Sequence, residues 1–378
     1  MKISTKLIHA TGEKFDSTGA ISTPIYLSST YAHERLGEGS GFDYSRLENP
    51  TRMALESLMT ELEGGVKSFA FASGMAAISC LFETLKSGAH VITSHDIYGG
   101  TRRFFDTILA RRNIAVSYVD TRNLVAVKSA LQNNTKIIFI ETPSNPCMFV
   151  SDVTKIAEIL KGMGAKLMVD NTFLTPYFMR PIELGADVVM HSATKYLGGH
   201  NDCMGGILTL KNADFAEEIG EIFKTVGSCL SAFDSWLILR GMKTLSIRME
   251  KISANALKIA EWLKSHKNVT KVHYVGLPEH KQHEISARQT SGFGGMISFE
   301  VDDKKLVPQI LGRVKVIYFA ESLGGVESLI TYPLVQTHAA VPPEDLAILG
   351  INEKLLRLSV GIEDVGDLIA DLKQAIEG

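Results

Sequence analysis

Lys195 stands in the stretch His191-Ser192-Ala193-Thr194-Lys195-Tyr196-Leu197-Gly198-Gly199-His200, directly after Ala186-Asp187-Val188-Val189-Met190. That apolar run reads as a buried strand, so Lys195 falls just past a strand's carboxyl end, with glycines beyond it. Open α/β sheets bind ligands at that end. A lysine there, preceded by Ser192 and Thr194, suits an amine that bonds to a carbonyl cofactor while two hydroxyls hold an anion. Alone, S-x-T-K reads more simply as a solvated lysine in a turn. Asp170 closes a second apolar run (166–170), where a buried carboxylate wants a cationic partner, unless it caps a helix. Ser73-Gly74-Met75 turns from an apolar segment into an Ala-rich helix start, whose free N–H groups and dipole suit a phosphate, although such turns also occur without a ligand. Arg357 sits in the apolar run 355–360 and needs an anion, from a substrate carboxylate or an internal acid. Tyr44 and Arg46 share one side of an extended segment and could reach one phosphate; a surface ion pair and a packed tyrosine are the plainer alternative.

These residues need elements to carry them. From Thr51, the spacing of Met53, Leu55, Leu58, Met59 and Leu62 predicts a helix that Gly64-Gly65 ends. Short apolar runs at 89–93, 115–119, 136–140, 166–170 and 206–210 then alternate with helical stretches at 98–111, 124–131 and 153–163. β-Branched strands with little polar alternation, joined by helices, predict an α/β fold with a mostly parallel sheet covered on both faces. One helix is expected over 233–263. Beyond it, strands at 271–275, 296–300 and 355–360 mix with helices near 303–312 and 364–376, an α+β pattern. The expected organisation is an extended arm at 1–50 with little core of its own, a large α/β domain at 51–244 and a smaller C-terminal α+β domain at 245–378. Such an arm needs another surface to lie on.

With 378 residues, 45% of them apolar, the chain has material for a large core. A net charge of −3, with lysines and arginines scattered, argues against a nucleic-acid partner. The longest apolar runs, such as Ile137 to Ile140, are too short to span a bilayer, and Met1-Lys2-Ile3-Ser4 opens no signal peptide, so no membrane partner and a cytoplasmic location are expected. Cys80, Cys147, Cys203 and Cys229 form no C-x-x-C pair and have no metal-ligand spacing with the histidines, so neither thiol chemistry nor a metal is expected.

Together, these residues supply the parts of a pyridoxal-phosphate site. Lys195 bonds the cofactor, Asp170 keeps its pyridine nitrogen protonated, Tyr98 stacks on the ring, and the Ser73-Gly74-Met75 turn with Ser192 and Thr194 cradles the phosphate. The chain also resembles the cystathionine γ-synthase and γ-lyase class of pyridoxal-phosphate enzymes, the Cys/Met metabolism family, within the aspartate-aminotransferase fold (fold type I). The resemblance runs through YSRLENPTR (44–52), AFASGMAA (70–77), DIYGGTRRFF (96–105), ETPSNP (141–146), VDNTF (169–173), HSATKYLGGH (191–200), AESLGGVESL (320–329) and RLSVGIED (357–364). It implies an aspartate-aminotransferase-like two-domain fold, pyridoxal 5'-phosphate as cofactor, and a homotetramer built as a dimer of dimers. Each site is then completed by the neighbour's arm, with Tyr44 and Arg46 on the phosphate of the other subunit's cofactor. The resemblance further implies Lys195 as the Schiff-base and proton-transfer lysine, Asp170 on the pyridine nitrogen, and Tyr98 on the ring face, assisting proton transfer. Asn145 would lie near the ring hydroxyl, Ser322 would position Lys195, and Arg357 would hold the substrate α-carboxylate.

Two positions bear on the substrate. Arg103, five residues after Tyr98, resembles the family's ligand for the distal carboxylate of cystathionine, and Glu321 resembles the residue near its distal amino group. Methionine γ-lyases typically carry neither, so a long sulfur amino acid with a charged far end is expected. The resemblance favours a cystathionine γ-lyase of the reverse transsulfuration route, making cysteine, 2-oxobutanoate and ammonia, with hydrogen sulfide release from cysteine or homocysteine as a side activity. Cystathionine γ-synthase, then β-lyase or methionine γ-lyase, are the enzymatic alternatives, and a regulatory relative with a dead site is the non-enzymatic one. Leu47-Glu48 departs from the small pair usual before Asn-Pro-Thr. Glu48 would add negative charge at the mouth of the neighbouring site and favour a cationic or zwitterionic substrate.

Overall fold

The computed structural model describes residues 1–9, 18–339 and 341–378, so residues 10–17 of the expected arm lie outside the described residues. Seven strands form the first sheet: β1 (Lys67–Phe71), β2 (His90–Ser94), β3 (Ala115–Val119), β4 (Thr135–Glu141), β5 (Lys166–Asp170), β6 (Val188–Ser192) and β7 (Gly206–Leu210). Their order is β1-β7-β6-β5-β4-β2-β3, and β7 alone runs against the others. The apolar runs lack alternation because both faces are covered. Along β4, Ile138 and Ile140 join one core cluster while Ile137 and Phe139 join the other.

The helices that carry the site start where their caps direct. After α1 (Ile3–His9), helix α2 (Pro50–Glu63) begins at Asn49, whose side chain accepts from the N–H groups of Thr51 at 3.0 Å and Arg52 at 3.2 Å, and ends at Gly64 with φ +73°. Helix α3 (Gly74–Phe82) is capped by Ser73, which accepts from the Ala76 N–H at 3.1 Å. Helix α4 (Gly99–Phe104) follows Tyr98 and widens into one π-helical stretch at Phe105–Leu109, where the sequence suggested uninterrupted helix.

The helix expected over 233–263 is two, Ala232–Met242 and Leu245–Ser265. The hydrophobic period runs through both, but the Gly241 carbonyl is taken by the Thr244 N–H at 3.2 Å and the buried Arg248 guanidinium at 2.9 Å, which closes the first helix. A second, mixed sheet follows, made of β8 (Val269–His273), β9 (Met296–Val301), β10 (Tyr318–Phe319), β11 (Leu329–Thr331) and β12 (Leu355–Ser359), in the order β10-β11-β12-β9-β8. Strands β10 and β11 are too short to show a period in sequence, yet the loop after β10 delivers Glu321 and Ser322 to the first sheet.

Candidate active site

Strands β1, β2, β4, β5 and β6 share one direction, and the residues that follow their carboxyl ends meet around a cavity of about 270 Å³. Ser73, Tyr98, Asn145, Asp170, Lys195 and Arg357 all line it. Strand direction alone brings five stretches, spread from Ser73 to Lys195, to one place.

Lys195 follows β6, and its Nζ donates to Ser322 Oγ at 2.7 Å. Burial lowers the pKa of its amine to about 8, helped by the Arg357 charge and opposed by Glu321. Near neutral pH a useful fraction is therefore unprotonated and able to accept a proton. Ser322 has φ +84°, a strained backbone for a serine, so the surrounding loop holds it where the lysine needs a partner. Its neighbour Glu321 is exposed at the cavity mouth.

Asp170 ends β5 directly opposite Glu141, the last residue of β4. Its Oδ1 accepts from the Thr172 N–H at 2.9 Å and hydroxyl at 2.5 Å. The same Thr172 oxygen accepts from the Ser192 N–H at 2.8 Å, tying the acid to the lysine loop. Burial raises both carboxyls above the usual range, and the charge of Asp170 pushes Glu141 further. Glu141, buried, and Asp170, half-buried beside it, have no salt bridge among the described residues, and together they call for a proton or a positive ligand.

The Ser-Gly turn presses against the sheet. A Cβ on Gly206 would lie 2.2 Å from the Ser73 carbonyl oxygen, and one on Gly74 would lie 2.9 Å from Met190 Cε. This approach brings Ser73, Gly74 and Met75, at the start of α3, to the cavity wall beside Ser192 and Thr194. Thr194 Oγ1 accepts from the Gly205 N–H at 3.0 Å, which fixes its side.

Arg357, on β12, is 1% exposed. It donates to Asn145 Oδ1 at 2.9 Å, the Ser322 carbonyl at 2.8 Å and Thr331 Oγ1 at 3.0 Å, while its Nε has no partner among the described residues. Burial lowers its pKa to about 10, which leaves it charged at neutral pH. All its acceptors are neutral, so a buried cation faces the cavity without a bonded anion.

Four expected site residues do not line this cavity. Arg103 is exposed on α4, while its neighbour Arg102 pairs with Asp106 at 2.7 Å and Asp345 at 3.0 Å. Tyr44, Arg46 and Glu48 are exposed on the arm. Arg46 lies 5.5 Å from the Tyr44 ring centroid and donates to the Lys224 carbonyl, and Glu48 borders a separate groove. In return the cavity includes Glu141 and Thr172, which lie in the ETPSNP and VDNTF stretches but were given no role, and Thr337. Glu141 carried the same signal as Asp170, an acid closing an apolar strand; Thr337, in a loop outside the strands, carried none.

A profile of the family described as "Cys/Met metabolism PLP-dependent enzyme" matches residues 4–377. Cystathionine β-lyase of Lactococcus lactis subsp. cremoris (strain MG1363) is 49% identical over 375 residues, 99% of each chain. Cystathionine γ-lyase of Bacillus subtilis (strain 168) is 48% identical over 377 residues, spanning 100% of both. Among solved structures, cystathionine γ-lyase from Lactobacillus plantarum complexed with L-serine superposes with a TM-score of 0.96 at 43% identity, covering 99% of this chain and 98% of that one.

Proposed function

This chain belongs to the Cys/Met metabolism PLP-dependent enzymes, and from that membership we propose that it is a cystathionine γ-lyase, converting L-cystathionine and water to cysteine, 2-oxobutanoate and ammonia. The residues present fit the family's cofactor. The buried acid pair wants a positive ring nitrogen, the glycine-pressed start of α3 suits a phosphate, and Lys195 is a partly neutral amine at the cavity wall. Bound there, pyridoxal phosphate supplies an electron sink that eases proton loss at the substrate's α carbon.

The protein's own residues would do the rest. Ser73, Gly74, Met75, Ser192 and Thr194 hold the phosphate, Asp170 the ring nitrogen, and Tyr98 the ring face. Arg357 and Asn145 bind the substrate's α-carboxylate and fix its orientation. Lys195, steadied by a neutral serine and not an acid, moves protons at the α and β carbons. The partner subunit's Tyr44 and Arg46 would complete the phosphate site, and its Glu48 would lie at the mouth. The arm's exposed Ile21 and Leu27 fit a segment that lies on another chain.

The observation that carries the substrate is Glu321. Its carboxylate stands at the cavity mouth, near enough to Lys195 and Arg357 to oppose the lowering of both pKa values by burial. A ligand with an α-carboxylate for Arg357 and a second, distal ammonium for Glu321 fits cystathionine. The similarity to a β-lyase favours a second reading, cleavage of the same substrate to homocysteine, pyruvate and ammonia.

Product analysis with purified holoenzyme separates the two. Cysteine and 2-oxobutanoate are expected; homocysteine and pyruvate would make it a β-lyase, and net cystathionine from O-succinylhomoserine and cysteine a synthase. In Glu321→Gln, kcat/KM for cystathionine should fall about tenfold relative to that for homocysteine, which has no distal ammonium. An unchanged ratio would remove Glu321 from substrate recognition.

A further inference from the structure

Glu141 is 7% exposed and is the one acid that borders both the main cavity and a smaller cavity behind it, of about 50 Å³, among those described. Its Oε1 accepts the backbone N–H of Tyr98 at 2.8 Å, across 43 residues of sequence. Tyr98 has no side-chain capping bond to α4 and the residue is 44% exposed, so this backbone bond is a principal restraint on where the ring stands. Helix α4 leaves little room for another arrangement. A Cβ on Gly99 would lie 2.4 Å from the Thr337 carbonyl oxygen, and one on Gly100 would lie 2.4 Å from Tyr98 Cε1. On its other side Glu141 is the register partner of Asp170.

We propose that Glu141 is a positioning residue of this site, a neutral acid that sets the Tyr98 ring through the backbone and leaves Asp170 as the single negative charge facing the cofactor's ring nitrogen. The inference rests on pyridoxal phosphate occupying this cavity, and not on which carbon–sulfur bond is cut.

The assignment of the proton follows from the surroundings. Asp170 is stabilised as an anion by the N–H and hydroxyl of Thr172. Glu141 accepts only the Tyr98 N–H among the described hydrogen bonds, and burial, with the charges of Asp170 and Asp96, disfavours its ionisation. Asp96, from the loop after β2, is also pushed up by burial, to about 7. The other charged or titratable groups around the rear cavity are His95, Asp120 and Arg122; Arg122 is bound to both carboxylate oxygens of Asp120. Arg122 is thus engaged by another acid, and the proton settles on Glu141.

Three variants of the holoenzyme test this, read by cofactor retention on dialysis and by the visible circular dichroism of the bound cofactor, which reports the ring's surroundings. Glu141→Ala loses the anchor and should release cofactor about tenfold more readily, with altered dichroism, the size expected for one buried hydrogen bond. Glu141→Gln keeps an acceptor for Tyr98 and carries no charge, so it should restore retention to within about threefold of the parent and recover the dichroism. Glu141→Asp keeps the acid but is one methylene short of Tyr98, and should behave like Glu141→Ala. The inference is overturned if Gln fails to rescue while Asp does, which would mean that charge is what matters. It is equally overturned if Ala lowers the melting temperature while retention and dichroism stay at parental values. Should the Ala variant not fold, the contrast between Gln and Asp decides alone. None of these readouts depends on the product formed, so a β-lyase result would leave the test standing.

Discussion

Lys195 illustrates how much a single residue owes to its neighbours. A lysine in water titrates near 10.4; here burial and the Arg357 guanidinium both disfavour the ammonium form and bring the amine to about 8. The neutral amine, which is the form that condenses with a carbonyl, therefore becomes the majority species above about pH 8 and the minority below it. The rate at which cofactor-free protein combines with pyridoxal phosphate, followed by its visible absorbance, should rise with pH and reach half its limit near pH 8. Replacing Arg357 by Met removes one of the two causes and should move that midpoint upward. A midpoint near 10 in the unaltered protein would mean that the pocket leaves the amine in its solution state. Lys195, Asp170 and Arg357 were legible in the sequence because each is a charge set in or beside an apolar run, where burial without a partner is costly. Arg103 was not decidable that way, since an arginine on a short helix gives no sign of which side it faces. Arg103 is exposed and does not line the cavity whereas Glu321 does, so the proposed recognition of the substrate's far end rests on Glu321.

At the scale of elements, the carboxyl-end convergence depends on a turn that tolerates almost no bulk. The Ser73-Gly74 turn rests on β7 at Gly206, where an added Cβ would meet the Ser73 carbonyl carbon at 2.6 Å and Gly74 Cα at 2.8 Å. All three of these contacts, with the Ser73 oxygen at 2.2 Å, are backbone, so no side-chain rotation can relieve them. Gly206→Ala should cost about 1–3 kcal/mol in denaturant unfolding, as overpacking of an interior does. It should also weaken cofactor retention, because the start of α3 must retreat from the proposed phosphate position. Unchanged unfolding and retention together would show that the turn can shift freely. The first-sheet strands were readable from their unbroken apolar runs, and α2 from its period and its glycine stop. The break at 243–244 was not, because it lies in the route of one carbonyl's hydrogen bonds and leaves the hydrophobic period intact. Nor were β10 and β11, which are held by pairing with β12 and its neighbours and not by any pattern of their own.

At the scale of the whole molecule, Lys195 and Arg357 are the only lysine and arginine among the described residues that line the cavity, and the proposed function gives both other roles, so the proposed phosphate site lacks a cation of its own. The arm carries Tyr44 and Arg46, both exposed and neither lining their own chain's cavity, on a segment where Ile21 and Leu27 are exposed. A second copy of the chain resolves both, if its arm reaches across. The consequence can be tested without a structure of the assembly, by mixing two inactive variants. Lys195→Ala removes the lysine from its own cavity, and Arg46→Ala removes the arginine from whichever cavity the arm serves. If arms are exchanged, a hybrid pair contains one cavity with both defects and one with neither. Unfolding and refolding the two variants together in equal amounts makes half of all pairs hybrid, so activity should return to about a quarter of the parental level. If each arm serves its own chain, every cavity in the mixture carries one defect, and activity stays at the average of the two variants.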